Sequence, residues 1–115
     1  MTTTGTIPAA EALALADLIA PTERGIASRV LAKNGGGNVT LFAFDQGEGL
    51  SEHTTPFDAL VIVLDGLLTL TIGGQPVIAR PGTIVRMPAN VPHAVEAIAA
   101  ARMLLVMLRE PKTGA

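Results

Sequence analysis

From residue 25 onward the chain alternates apolar and polar side chains at the two-residue period of strands, and turn-forming residues interrupt it at short intervals. Residues 26–33 place Ala27, Arg29, Leu31 and Lys33 on one side and Ile26, Ser28, Val30 and Ala32 on the other. Asn34-Gly35-Gly36-Gly37-Asn38 supplies residues that tolerate positive φ, and 39–45 alternates again, so the two runs predict a hairpin. Further strands are expected at 59–64, 67–72, 76–80, 83–87, 91–98 and 102–109, with turns at Asp65-Gly66, Gly73-Gly74 and Pro81-Gly82. About eight short strands with turn signals every 8–12 residues or so predict an all-β sandwich or barrel. No helix-length insertion follows residue 25, which excludes a parallel α/β sheet. Val61-Ile62-Val63-Leu64 is apolar on both faces, so one face should line the barrel and the other should meet a second sheet or subunit.

Upstream the pattern changes. Residues 8–20 are good helix formers, with Pro8 suited to a first helical position and Pro21 to end the run. Leu15, Leu18 and Ile19 would share one face of a short packing helix outside the barrel. Residues 1–6 are polar and expected to be disordered. The chain therefore divides into a tail with a short helix, 1–24, and a barrel domain, 25–115.

Composition sharpens this picture. The 115 residues are 49% hydrophobic and only 16% charged, where an ordinary soluble domain carries roughly 25% charged residues. A lone domain of this size leaves much of itself facing water, so the excess implies further burial, most simply against a second copy. A homodimer is expected, joined by strand residues of the early hairpin and the C-terminal strand. The net charge of −2 and the scattered basic residues exclude a nucleic-acid binder. With no cysteine there is no disulfide framework and no thiolate metal site. Glu11 and Asp17 interrupt the apolar run at 12–20, which lacks the basic start of a secretory signal and the length of a membrane span. A cytoplasmic protein with no membrane partner is expected.

The chain holds two histidines, His53 and His93. His53 follows Gly47-Glu48-Gly49-Leu50-Ser51-Glu52 at a loop-to-strand junction. His93 follows Met87-Pro88-Ala89-Asn90-Val91-Pro92, a rigid turn in which Asn90 suits a left-handed conformation. These spacings resemble the cupin family. Its first motif runs Gly, five residues, His-x-His, three residues, Glu, six residues, Gly, and here those places hold Gly47, His53, Thr55, Ala59 and Gly66. Its second runs Gly, five residues, Pro-x-Gly, two residues, His, three residues, Asn, and here Gly82, Pro88, Asn90, His93 and Ala97 stand there. The resemblance implies a double-stranded β-helix, or jelly-roll barrel, with His53, Thr55 and His93 lining a ligand pocket in its mouth.

In metal-binding cupins the two motif-1 histidines, the glutamate and the motif-2 histidine hold the ion. Here Thr55 and Ala59 replace two of the four, and neither a hydroxyl nor a methyl substitutes for imidazole or carboxylate. Asp58 and Glu52 adjoin the motif, but strand alternation turns each to the wrong face, and with Glu48 they are read as solvated charges. The resemblance then leaves at most a weak site for nickel, zinc, manganese or iron on His53 and His93. Phe44, Phe57, Met87, Met103 and Met107 are read as core. Two functions stay open: a barrel that binds a small molecule, its reaction not fixed, and a metal-dependent oxygenase or isomerase with a reduced two-histidine site. Sugar epimerisation in this family uses a tyrosine, and the chain has none.

Overall fold

The computed structural model describes residues 6–20 and 23–109. The strands are β1 (Ile26–Asn34), β2 (Gly37–Phe44), β3 (Gly49–His53), β4 (Asp58–Ile72), β5 (Gln75–Ala79), β6 (Ile84–Met87) and β7 (His93–Leu108). All pairings are antiparallel, in the order β1-β2-β7-β4-β5, with β3 also on β7 and β6 also on β4.

Two of the expected breaks are absent. The sequence expectation of separate strands at 59–64 and 67–72, and at 91–98 and 102–109, gives way to two long bent strands. Asp65-Gly66 is a bend inside β4, where register shifts between Val63, Asp65, Leu67 and Leu68 turn the ladder against β7. The first half of β4 pairs with β6 and the second with β5. The end of β7 pairs with β2 and its start with β3. Each long strand thus belongs to both layers of a jelly roll, and the corners lie at Gly66 and Ala99–Ala101. Gly66 has φ 80, and a Cβ there would overlap the Ala100 carbonyl oxygen and stand 2.5 Å from the Ala101 Cα. Only glycine turns this corner.

Inward-facing residues of the two layers form one core: Phe44, Ala59, Val61, Val63, Leu68, Leu70, Met87, Val95 and Met103 are at most 4% exposed. A smaller cluster of Leu31, Leu41, Ala43 and Ile19 lies on the outside of the β1–β2 layer.

The expected helix at 8–20 is not formed. Only Leu15–Asp17 is helical, a 3-10 turn whose preceding residue, Ala14, supplies no side-chain cap. A single stretch of this length is marginal as an isolated α-helix, and competing contacts hold it otherwise. Ile7 N–H bonds the Leu31 carbonyl at 2.9 Å, while Arg102 donates to the Ala16 carbonyl at 3.0 Å. Ile7, Leu18 and Ile19 lie over Leu31, Leu41 and Ala43. The segment is a strap across the sheet. The expectation for 1–5 and for Pro21 lies outside the described residues.

The strap covers only one side of that outer face. The register carries it on from Leu41 to Leu104, Ile62 and Ile84 in one row, and from Val39 to Val106 and Leu60 in the next. Leu60, Ile62, Leu104 and Val106 are half-buried, and Ile84 is 59% exposed. No helix among the described residues is long and apolar enough to cross a membrane.

Candidate functional site

Both histidines stand at one end of the barrel, at the tip of β3 and the first residue of β7. They are direct register partners, and Ile72 of β4 pairs with His93 on its other side. The imidazole centroids are 4.4 Å apart with the rings edge to face at 68°. His93 is buried at 4% exposure, whereas His53 is exposed to solvent.

The two rings are mounted in the same way. His53 Nδ1 lies 2.7 Å from the Ser51 carbonyl oxygen, and His93 Nδ1 lies 3.2 Å from that of Val91. A carbonyl only accepts, so each Nδ1 carries its hydrogen and donates it. In the neutral ring this leaves the Nε2 lone pair free, the tautomer being set by the bond that the other nitrogen makes. Arg29 Nε is the one buried side-chain polar atom without a partner among the described residues, so His93 Nε2 is not sealed in the core, and His53 is itself exposed. The two rings lie side by side at this end of the barrel.

The other motif positions have different fates. Thr55 comes to the same end, but its hydroxyl is occupied: it donates to the Phe57 carbonyl at 3.2 Å and accepts from Phe57 N–H at 3.3 Å. Ala59 is 1% exposed within the apolar core. Its register partners are Met87 and Met107, so the floor where the family's carboxylate would project is hydrophobic. Among the described residues no three His, Cys, Asp or Glu side chains come together in a metal-binding group. The side chains do not fit the family's four-ligand metal site.

Asp58 has a role that its position in the sequence conceals. Its Oδ1 accepts Ala89 N–H at 2.9 Å, and its Oδ2 pairs with Arg86 Nη1 at 3.3 Å. It faces away from the core, as alternation requires, yet it holds the loop that leads into His93. That loop is tied at two further points, Asn90 N–H to the Thr55 carbonyl and Gly73 N–H to the Pro92 carbonyl, both at 2.8 Å. Asn90 adopts the expected left-handed conformation, φ 65. No local pattern marks Asp58 as a loop anchor, because its partner lies 31 residues away.

Two clefts lie elsewhere and reach neither histidine. One, of about 230 Å³, runs between the β1–β2 turn and the end of β7. The other, of about 210 Å³, sits by Phe44 and the Asp65–Arg102 ion pair at the bend of β4.

The family profile described as cupin domain matches residues 40–108. The chain is similar to the crystal structure of a conserved protein of unknown function from Streptococcus pyogenes, 32% identical over 96% of this chain and 97% of that one, TM-score 0.87. It is also similar to a cupin superfamily protein from Desulfitobacterium hafniense, 28% identical over 95% of this chain and 100% of that one, TM-score 0.85. A cupin 2 conserved barrel domain protein from Leptotrichia buccalis is 37% identical over 82% of this chain, which spans 46% of that longer one, TM-score 0.79. A search of curated proteins finds no match.

Proposed function

From the premise that this chain belongs to the cupin family, we propose that it binds a small molecule at the barrel mouth through His53 and His93. The observation that carries the proposal is the pair of imidazoles 4.4 Å apart, each with Nδ1 committed to a carbonyl and Nε2 left free. Two imidazoles side by side, each in the Nδ1–H tautomer, match a ligand that offers two hydrogen-bond donors, such as a vicinal diol or a hydroxy compound. Ile72, Ala59, Met87 and Met107 give that end of the barrel apolar walls, and methionine adapts readily to varied apolar groups. The ligand class is therefore a small hydroxylated molecule with an apolar portion. Thr55 shapes the rim through its backbone carbonyl and its turn to Phe57, and its hydroxyl joins the ligand only by giving up that turn.

The test is ligand-observed NMR with a panel of small polyols and hydroxy acids, followed by titration of the hits against His53→Ala/His93→Ala. Binding that vanishes in the double variant, with the far-UV circular dichroism unchanged, supports the proposal. Hits that bind the double variant equally well refute it.

The chain is further proposed to form a homodimer, the second copy covering Leu60, Ile62, Ile84, Leu104 and Val106. The high apolar content and the open side of the outer face support this. Contact through the early hairpin is narrowed to its margin, since the strap already covers Leu31, Leu41 and Ala43. A cytoplasmic setting accords with the absence of cysteine.

A further inference from the structure

We infer that Asp58 is a positioning residue for the histidine pair, acting through the 88–92 loop and not by touching a ligand. The inference rests on the proposed role of the pair and extends it to what holds the pair in place.

The connection runs through short links. Asp58 Oδ1 accepts Ala89 N–H at 2.9 Å. Two residues on, the Val91 carbonyl accepts from His93 Nδ1 at 3.2 Å. That bond fixes the ring orientation and the tautomer, and thereby the direction of Nε2. Of the three bonds tying this loop to the barrel, those at Asn90 and Pro92 join backbone to backbone. Apart from the His93 ring's own bond to Val91, the Asp58 bond is the one side-chain tie to this loop among the described residues. It is also the one to an ionised acceptor, which makes it the stronger kind. Within the loop Asn90 sits in the left-handed region, φ 65, which asparagine adopts readily, so the tie sets where the loop lies and not how it turns.

Asp58 and Ala59 thus divide one motif position between two faces of β4. The inward residue, a carboxylate in metal-binding members, is a methyl here. The carboxylate one place earlier points outward and secures the loop from behind. Arg86 shares the carboxylate through Oδ2, but that pair is exposed, with side chains 60% and 43% accessible, and exposed ion pairs contribute little. The positioning contact is the one to Ala89.

The experiment reads the rings directly and needs no ligand. Nitrogen-15 NMR of the full chain reports the tautomer of His93, the exchange of its Nδ1–H and of the Ala89 amide, and the His53–His93 ring contact. In Asp58→Ala, Ala89 amide exchange should rise about tenfold or more, the factor for a hydrogen bond to a charged group at the lower end of its range. His93 should lose its single Nδ1–H tautomer, and the ring contact should weaken. Asp58→Asn keeps an acceptor oxygen and should restore the wild-type ring signals. Arg86→Gln removes only the ion pair and should leave them unchanged. If Asp58→Ala fails to fold, Asp58→Glu carries the same test, because it keeps the charge while displacing the oxygen by a methylene.

A His93 tautomer and ring contact that persist unchanged in Asp58→Ala, or an Arg86→Gln that disturbs them equally, overturn the inference. Failure of the hydroxylated-ligand proposal leaves these ring measurements intact, so the two stand or fall separately.

Discussion

Replacing Gly66 by alanine should be among the most damaging single-methyl additions in this barrel. The new Cβ would overlap the Ala100 carbonyl oxygen and lie 2.5 Å from the Ala101 Cα and Cβ. Those atoms belong to β7, which the bend of β4 crosses, so relief requires moving backbone. The left-handed φ of 80 adds its own cost for any residue with a Cβ, about 1–2 kcal/mol. Overpacking adds about 1–3 kcal/mol, for a total of about 2–5 kcal/mol. A chain of this length has about 6–17 kcal/mol of stability at the usual value per residue. Gly74→Ala is the matched control: its φ is 82 and its Cβ would meet nothing within 4 Å, so it bears the backbone cost alone. The chain has no tryptophan or tyrosine, so urea unfolding should be followed by far-UV circular dichroism. Gly66→Ala should be less stable than Gly74→Ala by about 1–3 kcal/mol. Two variants within about 0.5 kcal/mol of each other, the usual scatter of such differences, would refute the crowding argument.

Light scattering of the wild type should give about twice the 11.8 kDa chain mass, and Ile84→Glu or Leu104→Glu should give the monomer; a wild-type monomer sinks the dimer. Ala59→Glu alone should destabilise by about 3–5 kcal/mol, the cost of an unpaired buried charge. Combined with Thr55→His it recreates the family's four ligands, and added manganese or nickel should then raise the melting temperature more than in the wild type. Asp45 accepts the N–H groups of Arg24 at 2.6 Å and Gln46 at 2.8 Å, and these bonds, Arg24's first, hold its carboxyl below the usual value. A depressed folded value means stabilisation that is complete above about pH 4 and is lost as pH falls through the folded value. The stability difference between wild type and Asp45→Asn should therefore shrink in that acid range only.

The sequence carried the strand rhythm and the hairpin around Gly35 and Gly36 apart from its exact ends, because each depends on local period or on glycine spacing; the meeting of His53 with His93 was legible through the resemblance to the cupin motifs. Strand β3 was harder to see. Ser51 and Glu52 are exposed, so the stretch shows no apolar alternation, and pairing with β7 alone makes it a strand. Asp65-Gly66 has the chemistry of a hairpin turn, and nothing nearby distinguishes a turn from a bulged bend; the distinction comes from β7 lying alongside both halves. The N-terminal strap follows from bonds to Leu31 and Arg102, far along the chain, which no helix propensity contains. At the mouth, the side chains facing one another were legible as a motif. Thr55's engagement with Phe57 and Asp58's hold on Ala89 are decided by tertiary geometry and were not.

The position of β7 has a consequence for synthesis. It lies between β2 and β4 and also receives β3, yet it is the last strand of the barrel to leave the ribosome. Until residues 93–108 emerge, β2 and the first half of β4 have no central partner, and Phe44, Val61 and Val63 have no closed core. The barrel therefore cannot assemble progressively from its N-terminus. It must close late, through contacts between distant segments of the kind that make β proteins slow to fold. During that interval its unpaired strand edges are open to wrong partners, including other nascent chains.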